Sequence, residues 1–365
     1  MKIVFRADAS IDIGTGHVMR CITLAEELAR QGHECRFICR EHKGHLGELI
    51  SSKGYELTML RADGGTKLDS SGNGNTTYAD WLGASWQQDA EQAVEALTPL
   101  SADWLIVDHY ALNARWEQKV AKAVGRIMVI DDLADRNHEC ALLLDQNLGR
   151  NASDYDGLVP QDCQRLIGPE YALLRPEFAE LRERSLKRRA RPELKRILIS
   201  LGGVDRTNVT GQVLDSLAAT TLPGDTQLDI IMGAAAPYLN EVRQQAARLP
   251  FKATVSVNVS DMAERMCLAD LSIGAAGGTS WERCCLGLSA ITIILAENQR
   301  LIGEALARSE AALLVENSQI VEDIVKLINR FAELTEERQR SSRNAAVVCD
   351  GAGTARVMSM LTGSI

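Results

Sequence analysis

Short apolar runs alternate with amphipathic stretches along the whole chain. Residues 2–5, 35–39, 105–107, 127–130 and 142–144 are largely apolar at consecutive positions, the pattern of strands buried on both faces. Between them, residues 17–31 and 114–124 repeat apolar side chains every three or four positions, as a helix with one buried stripe does. The second half repeats the theme, with strands predicted at 197–201, 228–232, 253–257, 271–273 and 290–294. Strands alternating with helices predict parallel sheets covered by helices, an α/β protein with two Rossmann-like domains. A chain of 365 residues is also too long for one ordinary core.

The halves meet at a charged stretch from Arg182 to Pro192, dense in Arg and Lys. It reads as a solvated linker or helix end rather than a nucleic-acid site, with Pro192 stopping any helix before the next strand. This divides residues 1–190 from a second domain at 191–345 and a terminal segment at 346–365. Residues 63–77 are rich in Gly, Ser and Asn and read as a mobile surface loop, a candidate lid.

Composition removes several function classes. The net charge of −9 and an aromatic content of 4% argue against a nucleic-acid partner. The first residues read as a strand rather than a signal peptide, and no run approaches the roughly 18 apolar residues of a membrane span. A cytoplasmic protein with no membrane partner is therefore expected. The nine cysteines are scattered and expected to be reduced. Cys35 and Cys39, with His33 nearby, read as core rather than as metal ligands, and Cys284 and Cys285 as small apolar residues. No metal and no cofactor are expected.

Candidate chemistry gathers at two glycine loops. After the first strand comes Gly14-Thr15-Gly16-His17, opening a helix. Glycines there allow close approach of backbone to a ligand, and the helix start favours an anion. Met19 stands where the dinucleotide fingerprint has its third glycine, which disfavours a nicotinamide cofactor. His17 at this strand end is either a base near neutral pH or a capping or packing histidine. His109 shares the strand-end setting and is a second candidate; His33, His42 and His45 read as surface. The second loop runs Gly277-Gly278-Thr279-Ser280, with Glu282 on the first helical turn. Its amides and hydroxyls suit phosphate, while Glu282 serves either ribose hydroxyls or the helix dipole. Asn298 and Gln299 suit sugar hydroxyl or acetamido groups, or cap a helix. Asp131 and Asp132 read as turn acids.

Arg6-Ala7-Asp8-Ala9-Ser10 followed by Gly14-x-Gly16-His17-x-x-Arg20-Cys21 is distinctive. With 81–83, 130–136, 144–147, 171–176 and Gly277-Gly278-Thr279-Ser280-x-Glu282, it resembles the UDP-2,4-diacetamido-2,4,6-trideoxy-β-L-altropyranose hydrolases of pseudaminic acid biosynthesis, over nearly the whole chain. Ser289 departs from that pattern, where relatives commonly carry proline. The resemblance implies a glycosyltransferase B-type fold, UDP held mostly by the second domain, and a terminal helix crossing back to the first. It also implies His17 as base, Glu282 as ribose ligand, Asn298 and Gln299 at the sugar or diphosphate, and Tyr78 as a further catalytic or sugar contact. A small-molecule UDP-sugar would be the partner of a monomer, its product feeding flagellin glycosylation or a surface polysaccharide. Transfer of the sugar to an acceptor, or nucleotide-sugar binding without catalysis, remain alternatives that the fold alone does not separate.

Overall fold

A computed structural model describes residues 1–61, 78–191, 193–234, 236–316 and 320–363. The candidate lid at 63–77 and the helix stop at Pro192 lie outside the described residues. The chain forms two compact units: Met1–Gln146 with Arg150–Leu173 and Thr354–Ile365, and Asn147–Gly149 with Leu174–Gly353.

The first unit is built on a parallel sheet of β1 (Lys2–Ala7), β2 (Glu34–Arg40), β3 (Glu56–Leu60), β4 (Ala102–Asp108), β5 (Val124–Ile130), β6 (Leu142–Asp145) and β7 (Gln164–Ile167), in the order β3-β2-β1-β4-β5-β6-β7. Helices α1 (Gly16–Arg30), α2 (Gly47–Ser52), α3 (Trp86–Leu97) and α4 (Ala114–Val120) connect the strands. The reason α1 forms is visible in its stripe: Val18, Cys21, Ile22, Ala25 and Leu28 recur at helical spacing and bury against Ile3, Phe5 and Ala7 of β1. It ends at Gly32, whose positive φ of 84° reverses the chain. The chain runs outward through β2 and β3, then returns to place β4 beside β1. The carboxyl ends of β1 and β4 therefore flank a switch point, where open α/β sheets bind ligands.

The second unit begins with α5 (Pro176–Arg189) and continues through β8 (Arg196–Ser200), α6 (Val209–Ala218), β9 (Gln227–Met232), α7 (Leu239–Ala246), β10 (Lys252–Val257), α8 (Met262–Leu268), β11 (Leu271–Ala275), α9 (Thr279–Cys285), β12 (Ala290–Ile294), α10 (Arg300–Arg308), β13 (Leu313–Glu316), α11 (Ile320–Glu333) and α12 (Thr335–Val348). Its parallel sheet has the order β10-β9-β8-β11-β12-β13, with an equivalent switch point between β8 and β11. Ile320, Ile324, Ile328 and Phe331 of α11 and Val213, Leu214 and Leu217 of α6 share its core with Ile197 and Ile199 of β8. The last helix, α13 (Gly353–Thr362), packs in the first unit, where Val357 and Leu361 are buried and the Leu361 carbonyl accepts from Trp104 Nε1 at 3.1 Å.

Of the two readings of the basic stretch at 182–191, solvated linker or helix end, the second holds. It is the end of α5, and its arginines close other helices. Arg189, 7% exposed, donates to the carbonyls of Met266, Cys267 and Ala269 at the end of α8. Arg182 donates to the carbonyls of Cys285, Ala346 and Cys349. These are the carbonyls a helix terminus leaves unpaired, which explains a cation density that composition alone reads as surface.

Candidate active site

Sheet topology brings His17, on the first turn of α1 after β1, against Asp108, the last residue of β4. His17 Nδ1 lies 2.6 Å from Asp108 Oδ1, and both groups are buried. Arg20, one turn further along α1, grips the same carboxylate through Nε at 2.6 Å and Nη2 at 2.7 Å. Burial by itself would raise the Asp108 carboxyl; Arg20 and then His17 more than offset this and hold it well below the usual carboxylate range. An ionised carboxylate only accepts, so the neutral imidazole carries its proton on Nδ1 and its lone pair on Nε2. That is the state a general base needs.

Arg20 continues to Asp132 Oδ2 at 2.8 Å, which also accepts from Tyr110 Oη at 2.9 Å. Tyr110 meets the His17 ring edge-on, with centroids 4.6 Å apart. Trp81 stacks over Tyr110 at 5.9 Å, and Tyr78 touches both, at 5.0 Å from Tyr110 and 4.7 Å from Trp81. Tyr110 thus joins the imidazole to a cluster of three aromatic rings, of which Tyr78 and Trp81 are partly exposed. Gly14 takes a positive φ of 82°, and its N–H donates to the Ser10 carbonyl at 2.9 Å, closing the turn before α1. At Gly16 a side chain would meet no atom within 4 Å.

His109 does not share this chemistry. Its Nδ1 accepts the Ala111 amide at 3.0 Å, so Nε2 carries the proton and faces Asp8 Oδ2 at 3.3 Å inside the protein. Burial lowers its pKa against the pull of Asp8. His42 is not a surface residue either, since its Nε2 is buried 3.6 Å from the same oxygen. Asp8 is held by Arg6 at 2.6 Å and by the Arg40 amide at 2.6 Å, while Asp89 binds both guanidinium groups. The Arg6-Ala7-Asp8 motif therefore fastens β1 to β2 and α3. Asp131 is a turn acid, accepting from the Ala134 amide at 2.8 Å; its neighbour Asp132 belongs to the Arg20 network.

In the second unit the loop after β11 presents Gly277, Gly278 and Thr279 at the surface. Among the described residues no acceptor takes the amides of these three, whereas the Ala276 amide bonds Ile293 O at 3.1 Å. The structure differs from the sequence reading at Ser280: it is 1% exposed and its Oγ accepts from Arg283 Nη2 at 2.8 Å, so the hydroxyl is engaged inside the protein. Glu282 is partly buried 3.7 Å from Arg175; burial raises its carboxyl, with Arg175 and Arg283 opposing. Asn298 is partly exposed, and Gln299 accepts the Leu295 amide at 3.0 Å through its side chain. Asp108, Arg20, Asp132, Tyr110 and Trp81 were not among the candidate site residues read from sequence. Arg20, Trp81 and Asp132 stand within the motifs that carry the family resemblance, and Asp108 stands at a strand end, but nothing local joined them to His17.

Residues 197–354 match the family described as Glycosyltransferase family 28 C-terminal domain. The UDP-2,4-diacetamido-2,4,6-trideoxy-beta-L-altropyranose hydrolase of Campylobacter jejuni is 26% identical over 309 residues, 84% of this chain and 97% of its own. The spore coat polysaccharide biosynthesis protein SpsG of Bacillus subtilis is 30% identical over 200 residues, 53% of this chain and 57% of its own. Among solved structures, MurG of Acinetobacter baumannii superposes with a TM-score of 0.68 at 15% identity, covering 99% of both chains. The two parallel-sheet units thus have the glycosyltransferase B-type fold, and the chain is distantly similar to the altropyranose hydrolase over most of its length and to the glycosyltransferase family 28 C-terminal domain at 197–354.

Proposed function

We propose that this nucleotide-sugar enzyme is a hydrolase that removes UDP from UDP-2,4-diacetamido-2,4,6-trideoxy-β-L-altropyranose with inversion, a step of pseudaminic acid biosynthesis. The observation that carries the reading is the His17–Asp108 pair at 2.6 Å, with Asp108 ionised and clamped by Arg20. Water attacks the anomeric carbon as the bond to UDP breaks. His17 Nε2 takes the water proton, and the imidazolium that forms is stabilised by Asp108. UDP is a good leaving group, so no second, protonated carboxyl is required of the kind glycosidases use. The amides of Gly277, Gly278 and Thr279 receive the charge gathering on the diphosphate. Glu282 accepts from the ribose hydroxyls, and Asn298 and Gln299 contact sugar or diphosphate. Tyr78 and its aromatic neighbours take the apolar face of the deoxy sugar.

The match at 197–354 to a glycosyltransferase domain favours one second reading, transfer of the sugar to an acceptor hydroxyl. Purified protein with the UDP-diacetamido sugar alone, followed by NMR, separates them. Release of free sugar with inverted configuration supports hydrolysis; UDP release that requires an added acceptor supports transfer. In the same assay His17→Asn lowers turnover by roughly 10²–10⁴-fold while UDP still binds. Near-normal turnover of that variant removes His17 from the base role.

A further inference from the structure

Arg283 is 2% exposed, on α9 directly after Glu282. Buried cations ordinarily sit beside a carboxylate. Among the described residues no carboxylate lies within ion-pair distance of this guanidinium. Its Nη2 instead donates to Ala275 O at 2.8 Å and Ser280 Oγ at 2.8 Å. Those two acceptors bracket the loop, one at its start and one at its end. The segment they enclose carries the three amides without an acceptor among the described residues.

The sequence makes room for this arrangement at one position. A Cβ on Gly274 would lie 2.2 Å from Arg283 Nη1 and 3.0 Å from Ser200 O, so the carboxyl end of β11 admits the guanidinium in this position only because residue 274 is glycine. Burial pushes Arg283 down to about 10, still charged at neutral pH. A positive charge with only neutral acceptors, fastened beneath a loop of free N–H donors, is stabilised further when an anion arrives above it.

We propose that Arg283 is the positioning residue of the diphosphate loop, clasping Ala275 and Ser280 so that the amides between them are preset for the phosphates and adding its buried charge, which no directly paired carboxylate neutralises, to their attraction. This rests on the reading of that loop as the UDP site. Gly274 and Arg283 act as one unit, glycine supplying the space that the guanidinium fills.

The test compares UDP with uridine, which shares the base and ribose but carries no phosphate, by ligand-observed NMR on the full chain. Arg283→Met is expected to weaken UDP by roughly 10- to 100-fold, the loss of two charge-assisted bonds and a charge, and to leave uridine within about twofold. Gly274→Ala, which expels the guanidinium, is expected to do the same. Because both changes remove one device, Gly274→Ala with Arg283→Met should be no weaker than Arg283→Met alone. Thermal unfolding of each variant checks its fold, and Arg283→Lys, which keeps the charge but not both bonds, carries the UDP–uridine comparison if Arg283→Met does not fold. UDP binding unchanged by these variants, or equal losses for UDP and uridine, overturns the proposal while the UDP site stands. A wild-type protein that binds no UDP overturns the site reading itself.

Discussion

Asp108→Asn keeps the size of the side chain and removes one acceptor. In the native protein Oδ1 accepts from His17 Nδ1 at 2.6 Å and Arg20 Nη2 at 2.7 Å, and Oδ2 accepts from Arg20 Nε at 2.6 Å. If the amide oxygen stays toward His17, the amide NH2 faces Arg20 Nε, donor against donor. If the amide is reversed, its NH2 faces His17 Nδ1 and drives the ring proton onto Nε2, the nitrogen that has to be free. One or two charge-assisted bonds at about 1.5–3 kcal/mol each are lost either way. A loss of about 3–5 kcal/mol in the transition state corresponds to roughly 10²–10⁴-fold in turnover. The assay is UDP release from the UDP-diacetamido sugar at saturation, with UDP affinity measured separately. We expect kcat to fall by that factor and UDP affinity to hold within about threefold, because Asp108 has no part in the glycine loop of the second unit. A kcat within about fivefold of wild type refutes the tautomer argument. Acid stability provides a second readout. Asp108 has a folded pKa below its unfolded one, so its contribution is complete above the ordinary value near about 4 and is lost as pH falls below it. The variant lacks that part of the acid limb.

Three further outcomes are expected. Glu282→Gln raises the KM for the UDP-sugar by roughly tenfold with kcat nearly unchanged, measured by initial rates, if the carboxylate serves the ribose. Arg189→Met strands the end-of-helix carbonyls of α8 and lowers unfolding free energy by roughly 2–4 kcal/mol in urea titration, without a functional contact being touched. His109 is held neutral by burial, so the unfolded chain binds its proton first and wild-type stability declines as pH falls below about 6.5; His109→Gln flattens that slope in pH-dependent thermal unfolding.

The strands read correctly from sequence were chiefly the buried ones, because a strand covered on both faces must be apolar at consecutive positions. The strands missed were β3, β7 and β13, all at sheet edges. There, one side faces solvent and polar residues break the run, as in Glu56–Leu60 and Gln164–Ile167. The same one-dimensional reading left the basic end of α5 open between a linker and a helix end and took it as solvated, since a guanidinium that caps a helix looks identical in sequence to one in water. His42 was assigned to the surface for the corresponding reason. Its burial depends on Asp8, 34 positions away in the chain and adjacent only through the sheet.

Local order of side chains determined that this is a two-part α/β chain with glycine turns after particular strands, because hydrophobic period and turn chemistry act over a few residues. His17 could be marked as a candidate on those grounds. The partners on which its proposed role as base rests were decided by strand order: Asp108 lies 91 positions away and Asp132 lies 112 positions from Arg20, and they meet because β4 returns beside β1. Arg283 shows the same division. Its charge is written in the sequence, but its burial under the glycine loop, and the need for glycine at 274, exist only once β8, β11 and α9 are packed together.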